Sequence, residues 1–414
     1  MNDCQNLKLK MNKKRRKIYT AFALMGLLFF IDGCVEPIEP ETITFQSALV
    51  IDATITNEMK QQQLFLSRTF TFEEDGPQAE SNAVIKVMSD QGEYVFEETS
   101  PGTYKSTLAF AAEPNNNYQL MITTNDGRTY VSDTEQLTNT TAIDDLYVER
   151  ITNDDGVDGM AIFVDSFDAT GASKHYRYEY EETYKIIAPK WSSKKLIAPT
   201  GPDLAACHVE TIAKEEEQQP CYATDFSNEI IVTNTNEFIE DRVSRFPVRF
   251  IKRDNYIMSH RYSILVKQYV QSGSAYTFFE TLQDFSGSES LFSQTQPGFL
   301  KGNISSVENV DEKVLGYFDV SSVSERRVYF DYDAFFPGEP LPPYIEPCVE
   351  IAPPLSKGAP PVCVLSTQVE FNLVSYYNEN MEPDASEGPF IVVPKVCGYC
   401  TEIGSKLVPE FWEE

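Results

Sequence analysis

Histidine is nearly missing from this chain: His175, His208 and His260 are the only three in 414 residues. That scarcity starves the common catalytic triads and most zinc sites of the residue they use most. Basic residues are scarce too, 34 Lys plus Arg against 63 Asp plus Glu, for a formal net charge of −29. A nucleic-acid backbone would be repelled unless a basic face were segregated, and none is visible beyond the N-terminus. After residue 31 no segment is long and apolar enough to span a bilayer as a helix. The sequence also holds no G-x-S-x-G elbow, no G-x-x-x-x-G-K-[ST] loop and no G-x-G-x-x-G fingerprint, so nucleophile-elbow and nucleotide chemistry have no support. Aromatic residues, by contrast, are plentiful: 22 Tyr and 27 Phe within a 42% apolar composition describe a globular, β-rich protein.

The positive charge that does cluster sits at the start. Lys13 to Lys17 form a basic run, residues 21–31 (AFALMGLLFFI) an apolar stretch, and Gly33-Cys34 follows. This is the layout of a signal peptide over residues 1–33, with Met11 as the expected start of translation, which would leave Cys4 outside the product. A Cys after a small residue at that point is what a bacterial lipoprotein signal presents, so Cys34 is the expected lipidation site. Asp32 departs from the small neutral residue usual there. Buried acyl chain contributes ~0.8 kcal/mol per CH₂, enough for a multiply acylated Cys to hold a protein at a membrane. Removing residues 1–33 leaves 27 basic against 61 acidic residues, a net of −34, behind a short acidic, Pro-bearing tether over 34–44.

Six cysteines then remain: Cys207, Cys221, Cys348, Cys363, Cys397 and Cys400. An even number in an exported chain fits disulfides. Proximity suggests 207–221, 348–363 and 397–400, although six cysteines allow 15 pairings. Cys397-Gly-Tyr-Cys400 also has the spacing of a redox dithiol or half a zinc site, readings that stay open beside the favoured structural one.

From residue 48 the pattern is one of short alternating runs. Segments 48–55, 63–67, 83–88, 94–97, 102–108, 118–124 and 129–131 read as strands, with Gln91-Gly92 and Asn125-Asp126-Gly127 as hairpin turns. Their density predicts an antiparallel β-sandwich over 45–137. Further strands are expected at 160–164, 176–181, 229–233, 247–251, 262–270 and 327–331, which make 138–414 a second, fibronectin-III-like sandwich with long insertions. One short helix is expected over 276–285, where Tyr276, Phe279, Leu282 and Phe285 recur every three residues and read as core packing. Residues 337–361 form a Pro-rich loop.

Little in the sequence marks chemistry. Glu181-Glu182 and Glu73-Glu74-Asp75 read as solvated strand ends or turns. Residues 153–159 (NDDGVDG) resemble a calcium loop but break the EF-hand pattern at Val157 and lack a closing Glu. No metal or cofactor is expected, and the acidity would favour a cationic ligand over an anionic one. Trp191, Phe335 and Phe336 are candidate binding aromatics, since flat rings offer contact area at small entropic cost.

Cys34-Val-Glu-Pro37, Leu49-Val-Ile-Asp52, Leu66-Ser-Arg68, Tyr176-Arg177, Arg261-Tyr-Ser-Ile-Leu-Val266 with Gln268-Tyr269, Gly302-Asn-Ile304, Leu315-Gly-Tyr-Phe318 and the ending Cys397-x-x-Cys400 with Pro409-Glu-Phe-Trp412 occur in an order that resembles a Bacteroidota lipoprotein family of unknown function. Its genes commonly lie beside those of TonB-dependent outer-membrane receptors. The N-terminal region also resembles the transthyretin-like and immunoglobulin-like modules of exported proteins in that phylum. The resemblance implies a lipid-anchored outer-membrane protein, at the cell surface or the periplasmic face, that is a non-enzymatic partner of such a receptor in nutrient uptake. It supplies no catalytic residues. A surface adhesin or envelope-structural protein is the alternative, and a surface hydrolase a more distant one.

Overall fold

The computed structural model describes residues 47–70, 76–198, 207–214, 219–287 and 300–414. The signal sequence, Cys34 and the tether lie outside them, as do Glu73-Glu74-Asp75. Ser47–Glu414 forms one compact unit, mainly β, with several sheets and a few short helices.

All seven strands expected in the first part are present: β1 (Leu49–Thr56), β2 (Gln63–Arg68), β4 (Val84–Ser89), β5 (Gly92–Ser100), β6 (Thr103–Ser106), β7 (Asn117–Thr123) and β8 (Thr129–Ser132), with two-residue strands β3 (Gln78–Ala79) and β9 (Glu135–Gln136) added. Their alternation buries one face: Leu49, Ile51, Ala53 and Ile55 of β1 pack with Leu64, Ile85, Val87, Tyr118, Leu120 and Ile122. Such a face is the main source of stability, at roughly 1.5–3 kcal/mol for each large apolar side chain removed from water.

The second part contains β10 (Ile143–Thr152), β11 (Asp158–Asp168), β12 (His175–Ile187), β13 (Lys194–Ile197), β14 (Glu210–Ala213), β15 (Pro220–Phe226), β16 (Ile231–Asn234), β17 (Asp241–Lys252) and β18 (Arg261–Val270). Then come helix α1 (Gly273–Gly287), β19 (Ile304–Ser306) and β20 (Val314–Asp331). A C-terminal region follows with α2 (Tyr332–Phe335), β21 (Ser356–Lys357), β22 (Val362–Cys363), α3 (Leu365–Glu370), β23 (Val374–Glu379), β24 (Phe390–Pro394) and α4 (Lys395–Gly398).

The boundary expected at residue 137 does not divide the molecule. β20 is 18 residues long; its first half pairs parallel with β1, Leu49 opposite Val314 through Thr56 opposite Ser321. Its second half pairs antiparallel with β18, Val270 opposite Ser322 through Arg261 opposite Asp331. β19 likewise adds to β8. One ladder of strands therefore runs β15-β12-β18-β20-β1-β2-β6-β5-β4-β7-β8-β19. Gly316 marks the close passage of β20 past β1: its φ is +120°, and a Cβ there would stand 1.9 Å from the carbonyl oxygen of Ile51.

On the β12 side a three-stranded sheet, β10-β11-β17, covers one face. Met160, Ile162 and Val164 of β11 meet Tyr176, Tyr178, Tyr180 and Tyr184 of β12, along with Ile264 and Val266 of β18. Glu182, read from sequence as a solvated strand end, is instead 4% exposed. Arg249 of β17 donates to its two oxygens at 3.0 and 2.9 Å, and Tyr262 of β18 donates to the same carboxylate. A charge can be buried there because every partner it needs reaches it.

All three disulfides differ from the pairs that proximity suggested. They join Cys207 to Cys363, Cys221 to Cys400 and Cys348 to Cys397. Cys207 precedes β14, which pairs only with β13, whereas Cys221 lies on β15 in the large sheet, so nearness in sequence is not nearness in space. Cys397 sits in α4 and Cys400 in the following 3₁₀ turn, and the step between them sends their sulfurs to different partners. Both are consumed in bridges, which removes the redox and zinc readings of the C-x-x-C. By the chain-entropy model, bridges over 49 to 179 residues contribute about 4–5 kcal/mol each when taken singly. Two of the three tether the C-terminal region to residues 207–221.

Candidate functional site

β12 reads His-Tyr-Arg-Tyr-Glu-Tyr-Glu, and a strand sends successive side chains to opposite faces. The tyrosines enter the core against β11, so Arg177, Glu179 and Glu181 must stand on the reverse face. The same alternation in β18 places Lys267 and Tyr269 there, in β1 Val50 and Asp52, and in β20 Leu315 and Tyr317. These residues form the floor of a cavity of about 890 Å³, roofed by Phe278, Phe279, Leu282 and Phe285 of α1 and by Phe226 to Ile230. Helix α1 is thus where the aromatic periodicity placed it, but its stripe does more than fill core: Phe278 meets Tyr317 with ring centroids 5.4 Å apart, while Phe279, Leu282 and Phe285 remain half-buried against the cavity. A concave, mostly apolar space with a few convergent polar groups is the usual form of a small-molecule site.

Charge is concentrated at the floor. Arg177 is buried and ion-pairs with Glu179, its guanidinium 4.4 Å from the Tyr269 ring and 4.7 Å from that of Phe279. Its Nε has no hydrogen-bond partner among the described residues. Tyr269 donates to Glu179 at 2.8 Å. Burial alone would raise the Glu179 carboxyl, but Arg177 and Tyr269 bring it below its ordinary range. Behind them Asp319 is fully buried, accepting from Ser321 and Gln271, and burial holds it above the usual aspartate range despite Arg177. Asp52 is exposed toward the cavity, with β2 and β20 paired against its strand on either side. Desolvation by the surrounding protein raises its pKa, with Arg177 opposing and Glu179 reinforcing the shift.

The binding aromatics singled out from sequence lie elsewhere. Phe336 is 1% exposed, stacked on Tyr332 at 4.6 Å and capped by Arg150 at 4.2 Å. Phe335 packs at the edge of the same core, as does Trp191, which has Lys214 Nζ 5.4 Å from its ring. None of the three lines the cavity. Residues 153–157 form the β10–β11 hairpin turn, in which the Asn153 side chain accepts from the Asp155 and Val157 amides, and Asp158 and Gly159 open β11. No group of three or more His, Cys, Asp or Glu is placed to hold a metal among the described residues. What the sequence reading missed was the floor, and its signal was present: over residues 176–181 of β12, tyrosine alternates with a charged residue.

No curated protein matches the chain. A family model described as "Domain of unknown function (DUF4249)" matches residues 35–327, spanning every strand that forms the cavity floor except the last residues of β20 and stopping short of the disulfide-tied C-terminal region. The chain belongs to this DUF4249 family.

Proposed function

We propose that this protein is a lipid-anchored, non-enzymatic binding protein of the outer membrane that works beside a TonB-dependent receptor in nutrient uptake. The observation that carries the binding part is the cavity of about 890 Å³ between α1 and the continuous sheet, a size and lining suited to a small ligand. The lipoprotein-like Gly33-Cys34 signal supports the anchor, and the net of −34 after it suits a tethered ectodomain that must stay soluble beside a membrane. The receptor partnership rests on the resemblance of the sequence to lipoproteins encoded beside such receptors.

The test is affinity purification of the tagged protein from outer membranes after mild cross-linking, alongside the variant Cys34→Ser. The expected result is co-purification of an outer-membrane barrel with the parent chain and release of the variant into the soluble fraction. Repeated recovery of the anchored protein alone, with nutrient uptake intact but cell attachment impaired on deletion, overturns the receptor reading in favour of an adhesin.

A further inference from the structure

The identity of the missing partner is written in the unpaired charges of the cavity. Six ionisable acids and bases line it: Asp52, Arg177, Glu179, Glu181, Glu229 and Lys267. Both cations are already engaged, Arg177 with Glu179 and Lys267 with Glu58 and Glu325 at 3.5 and 3.6 Å. Two of the carboxylates are engaged as well: Glu179 by Arg177 and Tyr269, and Glu181 by Arg327 at 3.2 Å. Asp52 and Glu229 remain, with no ion pair or hydrogen bond to their carboxylates among the described residues. Asp52 lies on the floor strand β1 and Glu229 in the segment after β15. Apart from the four engaged charges, Ser227 and Asn228, most of the remaining lining is aromatic or aliphatic.

Asp52 and Glu229 are both exposed to the cavity, so an apolar ligand that fills it takes water from their carboxylates, a cost that a positive group on the ligand relieves. Aromatic faces add to the same preference, since their negative π clouds attract cations. An anionic ligand would meet the opposite: two uncompensated negative charges, and an Arg177 already surrounded by Glu179, Asp52 and Asp319.

Accepting that this cavity is a ligand site, as proposed above, we infer that it takes an amphipathic cation, an apolar or aromatic body carrying an ammonium or guanidinium group that is received by Asp52. The class includes aryl-alkyl amines and peptides or conjugates that end in such a group, and the geometry does not require a metal.

The test uses three fluorescent probes with one body and different heads: dansylcadaverine (ammonium), dansyl-6-aminohexanoate (carboxylate) and N-pentyl dansylamide (neutral). Each is titrated into the unlipidated chain from residue 34 onward. The expected result is an emission rise for the cation at about tenfold or more lower concentration than for the anion, with the neutral probe between them. Asp52→Asn should bring the cation to the level of the neutral probe bound by the same variant, with an unchanged circular-dichroism spectrum and melting midpoint showing that the variant is folded. Glu229→Gln should weaken the cation less. Equal binding of all three probes, or a cation preference that survives Asp52→Asn, overturns the inference while leaving the cavity as a binding site. Failure of every probe to bind the parent chain overturns the ligand-site reading itself.

Discussion

Single residues here do work that their local sequence context does not announce. Asp168, at the end of β11, accepts from the Thr170 hydroxyl and amide at 2.7 and 2.8 Å and from the Ala172 and Ser173 amides at 3.1 and 2.9 Å, closing the loop into β12. Burial would raise its carboxyl, but these donors outweigh that and bring it from 3.8 to about 2. A depressed folded pKa means that the stabilisation is complete above the unfolded value and is lost as pH falls through the folded one. Asp168→Asn should therefore lower stability at pH 7 by on the order of 2 kcal/mol. Urea unfolding of parent and variant should show that gap constant above about pH 4 and shrinking toward pH 2. A gap that ignores pH would show that the charge is irrelevant and only the loop shape matters. Glu182 teaches the same lesson in the core: beside Glu181 in sequence it looks like half of a solvated pair, and only the arrival of Arg249 from β17 gives it a reason to be buried.

At the scale of elements, periodicity told a good deal and pairing much less. The strands of residues 48–132 and helix α1 were legible because each carries its own alternation or its own aromatic stripe, and local pattern is enough to place such segments. The first half of β20 was not, since Gly316, Asp319, Ser321 and Ser322 interrupt the apolar run that would mark a strand. Asp319, Ser321 and Ser322 are buried there because Gln271 donates to the Asp319 carboxylate, Ser321 does the same, and the Thr138 hydroxyl accepts from the Ser322 amide. The cavity floor was illegible for a related reason, because it takes two or three residues from each of four strands that only the ladder order brings together. Gly316 is the position at which β20 runs close past β1 in this ladder. Gly316→Ala places a methyl 1.9 Å from the Ile51 carbonyl oxygen in a backbone conformation unfavourable to L-residues, and should cost about 3 kcal/mol or more. Thermal melting checks it, and an unchanged midpoint would mean that β1 and β20 can separate freely.

For the whole molecule, the ladder makes two sequence halves into one sheet. Residues 47–137 alone lose the eight pairings from β1 to β20 as well as the β19–β8 pairing, which leaves β1 as an exposed, hydrophobic edge. Expressed by itself this segment should aggregate or remain partly unfolded, and supplying residues 300–322 as a separate peptide should restore cooperative melting and sharp amide NMR signals. Independent, monomeric folding of 47–137 would show that the shared strand is only a latch.

That shared strand also sets a clock on the protein's making. A chain delivered from its N-terminus presents β1 more than 250 residues before β20 exists to receive it. The strands of residues 49–132 must therefore wait, with one flank open, until residues 314–331 have been made. Maturation is then a single late event rather than a succession of finished modules, and any factor that shelters the unfinished chain would act on the edge of β1 that β20 later takes.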